Sequence, residues 1–191
     1  MPPFIDTTFF TGSLYVAQLN KVAVQEELTY FIAKYEKNFL RDLLGYALYK
    51  DFMAAFNASN TAPSIPLAAQ WDAILNGIEF TDQHQVLRKW TGLLGSTENG
   101  EIELSVIAQY VYYHFIRQQM SFTTGNGEVK NTLENATNVT ASRKLIAVWN
   151  DMVESTANLI TYLYLNPVTY PEYVNYRLPY DFRSTINDWN I

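Results

Sequence analysis

Between Glu26 and Phe56 apolar side chains return every three or four residues, and that spacing leaves the backbone little choice but helix. Leu28, Phe31, Ile32, Tyr35 and Phe39 fall on one face, with Glu26, Glu27, Lys34 and Lys37 on the other. A second stripe, Leu40, Leu44, Leu48, Phe52 and Phe56, repeats at every fourth position and is interrupted by Gly45. The spacing therefore predicts two helices with a break near that glycine.

Helical spacing returns twice further along. Leu104, Val106, Ile107, Tyr110, Val111, Tyr113 and Phe115 cover more than one face of the stretch from Glu103 to Met120, which predicts a central helix surrounded by protein. Leu145, Trp149, Met152, Val153, Leu159, Ile160 and Leu163 predict a long helix that Thr140 can cap and that ends before Asn166-Pro167. A shorter helix is predicted over Leu67 to Leu75, ending at Asn76-Gly77. Between Ile78 and Trp90 the apolar residues stand two apart around the polar turn Asp82-Gln83-His84-Gln85, which predicts a small hairpin. Residues Asn57 to Pro66, and Ser121 to Thr140 with its tip Thr124-Gly125-Asn126-Gly127, read as loops, the second long enough to be functional or mobile.

The chain of 191 residues, 48% hydrophobic and 15% aromatic, has enough apolar surface for one folded domain. Its net charge of −6 and the absence of a Lys/Arg cluster argue against wrapping nucleic acid. With no cysteine, disulfide and thiolate-metal frameworks are excluded. The start Met1-Pro2-Pro3-Phe4-Ile5-Asp6 lacks a basic and then apolar leader pattern, and no apolar run reaches the roughly 20 residues needed to span a bilayer. A soluble protein is expected. Sequons starting at Asn57, Asn135 and Asn138 are discounted as chance patterns.

No constellation for catalysis emerges. His84 and His114 are the only histidines and do not form a metal-spaced pair. His114, between Tyr113 and Phe115, reads as a hydrogen-bonded core histidine, and His84 as solvated. Glu26 and Glu27 diverge by about 100° on a helix and cannot converge on one substrate. Gly125-Asn126-Gly127 lacks the Lys-Ser/Thr and preceding strand of a phosphate loop, and no Gly-x-Ser-x-Gly elbow is present. The expectation is no enzyme, no catalytic residue, no metal and no cofactor.

The last stretch has a different character. Tyr170, Tyr173, Tyr176, Tyr180, Phe182 and Trp189 are strung along a segment broken by Pro171 and Pro179, an extended aromatic arm that is too apolar to be left in water. It either packs back on its own domain or docks on another chain. In the second case Tyr170, Tyr173, Tyr176, Arg177, Tyr180, Phe182, Arg183 and Trp189 are the candidate partner-binding residues, being of the types enriched at energetic centres of interfaces. The division expected is a helical body, 1–166, and the arm, 167–191.

Several stretches resemble one known group. They are Tyr35-Glu36-Lys37-Asn38-Phe39-Leu40-Arg41-Asp42-Leu43-Leu44-Gly45-Tyr46-Ala47-Leu48-Tyr49-Lys50-Asp51-Phe52, Gly77-Ile78-Glu79-Phe80-Thr81 with Lys89-Trp90-Thr91-Gly92-Leu93, and Ala108-Gln109-Tyr110-Val111-Tyr112-Tyr113-His114-Phe115-Ile116-Arg117. To these are added Thr123-Thr124-Gly125, Glu134-Asn135-Ala136 and Trp149-Asn150-Asp151-Met152-Val153. Together they are similar to a phage head-to-tail connector or adaptor-like family, virion proteins of tailed phages of the Bacteroidetes-phage type. The resemblance covers most of residues 35–153, and its motifs are structural rather than catalytic.

What the resemblance implies is a virion subunit at the head–tail interface, made in the host cytoplasm and forming a homo-oligomeric ring, commonly a dodecamer. Its partners would be the portal protein and the next tail or ring protein, with DNA only passing through the channel and no membrane involved. The fold class expected is mainly α, a helical bundle with a small β-hairpin and an extended C-terminal arm. Truncation after Asn166 is expected to leave a folded monomer that no longer assembles. The rival reading is a cytoplasmic protein- or nucleic-acid-binding module using the loop at 121–140.

Overall fold

The computed structural model describes residues 3–59, 69–98, 101–119, 121–124, 127–130, 139–174, 176–177, 179 and 184–186. The fold is mainly α, with small antiparallel hairpins. The helices are α1 (Val22–Leu44), α2 (Tyr46–Ser59), α3 (Ala69–Asn76), α4 (Val106–Gln119) and α5 (Val139–Leu165). The strands pair as β1 (Ile78–Thr81) with β2 (Leu87–Trp90), β3 (Ser96–Glu98) with β4 (Glu101–Glu103), and β5 (Ser121–Thr124) with β6 (Gly127–Lys130).

Helix α1 buries Leu28, Phe31, Ile32 and Phe39 of the predicted stripe and leaves Tyr35 half-buried, while Leu40, Leu43 and Leu44 are buried beyond it. It ends at Leu44 because Gly45 takes φ +74°, a left-handed value that an L side chain resists. Helix α2 then continues the second stripe, with Leu48 and Phe52 fully buried. Helix α4 lies between α1 and α5 and is buried nearly all round, from Val106 to Tyr112 and at Phe115. Its contacts are largely aromatic. Phe31 meets Phe115 edge-on at 5.3 Å, Phe39 meets Tyr110 at 5.1 Å, and Tyr113 meets Trp149 of α5 at 4.6 Å. Ser105 starts α4 by accepting from the Ala108 N–H (3.2 Å) while its own hydroxyl donates to Leu93 O (2.8 Å).

The β1–β2 hairpin is the one the alternation predicts, with Ile78 opposite Trp90 and Thr81 opposite Leu87. Asp82 organises its turn, accepting from the His84 and Val86 N–H groups (2.8 and 3.0 Å) and from Arg88 Nε (2.9 Å). These bonds, led by the Val86 N–H, hold its carboxyl below the usual carboxylate range. The contribution is therefore complete above the ordinary Asp pKa and is lost as pH falls through the depressed value. Asp82→Ala is expected to free both amides, read as roughly tenfold faster hydrogen exchange at His84 and Val86 while α4 and α5 keep their protection.

The hairpin is joined to α3 through two glycines. Gly77 has φ +98° and Gly92 φ +91°. A Cβ on Gly77 would stand 2.5 Å from Trp90 O, and one on Gly92 would stand 2.5 Å from Leu75 O, so two backbones cross with no room for a side chain. Leu93 N–H donates to Leu75 O (2.9 Å) and Trp90 Nε1 to Ile74 O (3.0 Å), which fixes the crossing. Helix α5 covers the hairpin, with Tyr162 against Phe80 (5.4 Å) and Asn158 donating to Lys89 O (3.0 Å).

Four readings change. Ser121–Thr124 and Gly127–Lys130 are strands, not loop, paired with Phe122 opposite Val129. The β3–β4 hairpin was not anticipated. Helix α5 begins at Val139, so Thr140 lies inside it rather than ahead of it. The loop expected from Asn57 begins instead with the last turn of α2, to Ser59; residues 60–68, the tip 125–126 and the stretch 131–138 lie outside the described residues.

Candidate partner-docking surface

The arm begins with a reversal. Asn166 O accepts from the Thr169 and Tyr170 N–H groups (3.1 and 3.0 Å), and Asn166 Nδ2 donates to Tyr162 O (2.8 Å), which turns the chain back along α5. Pro171 then opens a single 3-10 turn, Pro171–Tyr173, a position that suits its fixed φ and missing N–H. So the prolines shape the arm without preventing a short helical turn.

The outcome for the candidate residues is mixed. Tyr170 and Tyr173 are both 0% exposed, covered by their own chain. Tyr170 Oη donates to Gln70 O (2.8 Å) and its ring meets Tyr162 at 5.9 Å. Tyr173 Oη donates to Leu43 O (3.3 Å), and Tyr176 Oη donates to Asp42 O. Those two carbonyls belong to the last turn of α1, where the helix supplies no N–H partner, so the arm's hydroxyls cap it. The Tyr176 ring lies over Gly45, whose missing Cβ leaves the space: a Cβ there would come within 2.7 Å of that ring. Burial, with the Asp42 charge second, pushes the Tyr176 phenol up to about 12.

The premise that these rings need a second chain to cover them therefore does not hold for Tyr170 and Tyr173. Arg177 is exposed, while Tyr180, Phe182, Arg183 and Trp189 lie outside the described residues. Further on, the arm is tied to α5: Trp149 Nε1 donates to Ser184 O (3.2 Å), and Asn150 pairs with both the N–H (2.8 Å) and the O (3.0 Å) of Ile186.

What the arm leaves open is a rim of other apolar residues. Tyr46, beside Gly45, is 71% exposed, Val168 94%, Val174 48% and Tyr164 47%. Tyr164 frames the arm directly, its ring 5.1 Å from Tyr173 and its hydroxyl donating to Tyr176 O (2.9 Å). Along the arm, tyrosines 170 and 173 point inward while Val168 and Val174 face solvent. Sequence reasoning passed over Val168 and Val174 because it ranked residue types, and the order Val168, Tyr170, Tyr173, Val174 has no regular period that marks which of them face outward.

The histidines carry no assembled chemistry. His114 stacks on Tyr35 (4.2 Å, 10°) and is flanked by Tyr110 (4.5 Å) and Tyr113 (5.4 Å). Its Nε2 is buried with no hydrogen-bond partner among the described residues, so stacking rather than the expected hydrogen bond holds it. Burial first, then the Arg117 and Lys34 charges, push its pKa down to about 4, leaving the ring neutral at pH 7. His84 sits in the exposed turn beside Gln83. Among the described residues no three His, Asp or Glu side chains gather into a metal-holding group, and no helix is long and apolar enough to cross a membrane.

No protein-family model matches the chain, and neither a curated protein nor a solved structure matches it.

Proposed function

We propose that this chain is a structural subunit that works by docking on other proteins, and specifically a head-to-tail connector of a tailed phage. In this reading it forms a homo-oligomeric ring that binds the portal on one side and the next tail or ring protein on the other. The observation that carries the docking role is the exposed apolar rim of Tyr46, Tyr164, Val168 and Val174 around an arm already anchored on its own helices. A rim held in place loses little freedom when a partner covers it. The finer identity rests on the resemblance across residues 35–153. A net charge of −6 also suits a channel through which DNA slides without sticking, and a closed ring multiplies one modest contact.

Because the arm completes the core, deleting it is the wrong test, and surface substitutions replace it. Tyr46→Ser combined with Val168→Asp and Val174→Asp is expected to leave the melting temperature within a few degrees of wild type. Incorporation into particles assembled from the neighbouring virion genes is expected to fall at least roughly tenfold, read by quantitative mass spectrometry of purified particles. Undiminished incorporation of the triple variant would remove the rim from the reading. Absence of the wild-type chain from any virion particle would remove the connector role itself.

A further inference from the structure

Glu36 is a charged residue at a core position. It lies on the same face of α1 as Ile32 and Leu40, which are each 1% exposed, and is itself only 7% exposed. Its carboxyl binds the chain's N-terminal segment through main-chain groups. Phe4 N–H donates to Oε1 (3.0 Å) and Oε2 (2.9 Å), and Ile5 N–H donates to Oε2 (3.2 Å). Residues 4–16 then lie along the body as a strap, with Ile5, Phe10, Leu14 and Val16 at 2% exposure or less. Phe4 covers the α2 rings Phe52 (5.7 Å) and Phe56 (4.9 Å). An uncharged acceptor would satisfy the same two N–H groups without the cost of burying an ionisable one.

We infer that docking of this strap is linked to a proton on Glu36, the strap being held most firmly when the carboxyl is neutral and loosening when it ionises. The hydrogen-bond geometry permits this. Oε2 alone reaches both N–H groups, so Oε1 can carry the proton and the tie survives. Burial is the largest influence on the group and pushes it up to about 7, against the pull of the Phe4 and Ile5 N–H groups toward the ionised form. With the strap off, the carboxyl meets water and returns toward the ordinary Glu value of about 4.3.

The direction follows from that difference. A pKa raised in the docked state means the docked state holds the extra proton, so lowering pH from above 7 toward the ordinary Glu value strengthens docking, and raising it weakens docking. Each pH unit inside that window changes the docking constant by at most about tenfold. Of the neighbouring groups, Tyr49 faces the carboxyl from α2. Its phenol is pushed up by its own burial first and then by the Glu36 charge, with Arg41 of α1 pulling it down, so it stays protonated through the window. On the strap, Asp6 is exposed and held below the usual carboxylate range by Thr8, so it titrates at lower pH.

The test is hydrogen exchange of the Ile5, Phe10 and Leu14 amides in the full chain, as protection factors corrected for intrinsic rate, from pH 5.5 to 8. Wild type is expected to lose at least about tenfold protection at these sites over that range. Glu36→Gln, which keeps an acceptor oxygen and cannot ionise, is expected to hold its protection level. Flat protection in wild type, or an equal slope in the Gln variant, would overturn the proposal. Should the variant fail to fold, the side-chain carboxyl carbon shift of Glu36 in wild type is titrated instead. A midpoint near 7 supports the linkage and one below 5 ends it.

Discussion

Alanine at Gly92 is expected to lower stability by about 3 kcal/mol, which for a chain of this size is a fall of roughly 6–12 °C in melting temperature. Two effects add. The residue has φ +91°, where an L side chain is strained, and its new methyl would lie 2.5 Å from Leu75 O and 2.7 Å from the Asn76 carbonyl carbon. Backbone cannot step aside as a flexible side chain can, so α3 and the β1–β2 hairpin would have to separate. That motion would pull Trp90 Nε1 from Ile74 O. Urea unfolding checks the magnitude, and Gly77→Ala, which meets Trp90 O at 2.5 Å, is expected to match it. By contrast Gly12→Ala, also at positive φ (+58°) but with open space around it, is expected to cost only the strain, about 1 kcal/mol. Equal losses at Gly92 and Gly12 would show that the crossing is not the cause.

The second large effect is expected at Tyr173. Replacing it with alanine removes a fully buried ring and leaves a cavity beside Tyr164 and Tyr176, for a loss of about 4 kcal/mol. Tyr173→Phe keeps the ring and removes the donor to Leu43 O, and is expected to cost about 1 kcal/mol. Chemical denaturation of the pair separates the ring from the hydroxyl. By the same reasoning truncation after Asn166, which takes Tyr170 as well, is expected to abolish cooperative unfolding rather than leave an intact monomer. A truncated chain that melts like wild type would restore the arm to an appendage.

The helices were legible because their signal is local. Leu28 to Phe39, the break at Gly45 and the all-round apolar surface of α4 each follow from spacing within a single element. The β1–β2 hairpin was legible for the same reason, through its alternation and polar turn. Hairpin β5–β6 was not, since the one cross-strand pair of large apolar residues in it, Phe122 opposite Val129, is too small a pattern to stand out from loop composition. The arm marks a different boundary. Composition demands cover for Tyr170 and Tyr173, but burial against the same chain and burial against another are the same physics, and only the folded positions of Leu43 O and Gln70 O distinguish them. Glu36 was hidden by its charge, although its place four residues from both Ile32 and Leu40 was a signal.

The corner where α1 meets α2 is finished by two residues far along the chain. Leu43 O waits for a hydroxyl 130 positions downstream, and Asp42 O for one 134 downstream. On a ribosome, much of the helical body is therefore made before the tyrosines that close it have been translated. Such a nascent chain should linger as a loosely packed intermediate and lean on chaperones until those tyrosines emerge, and its final locking should be a single step rather than a gradual one.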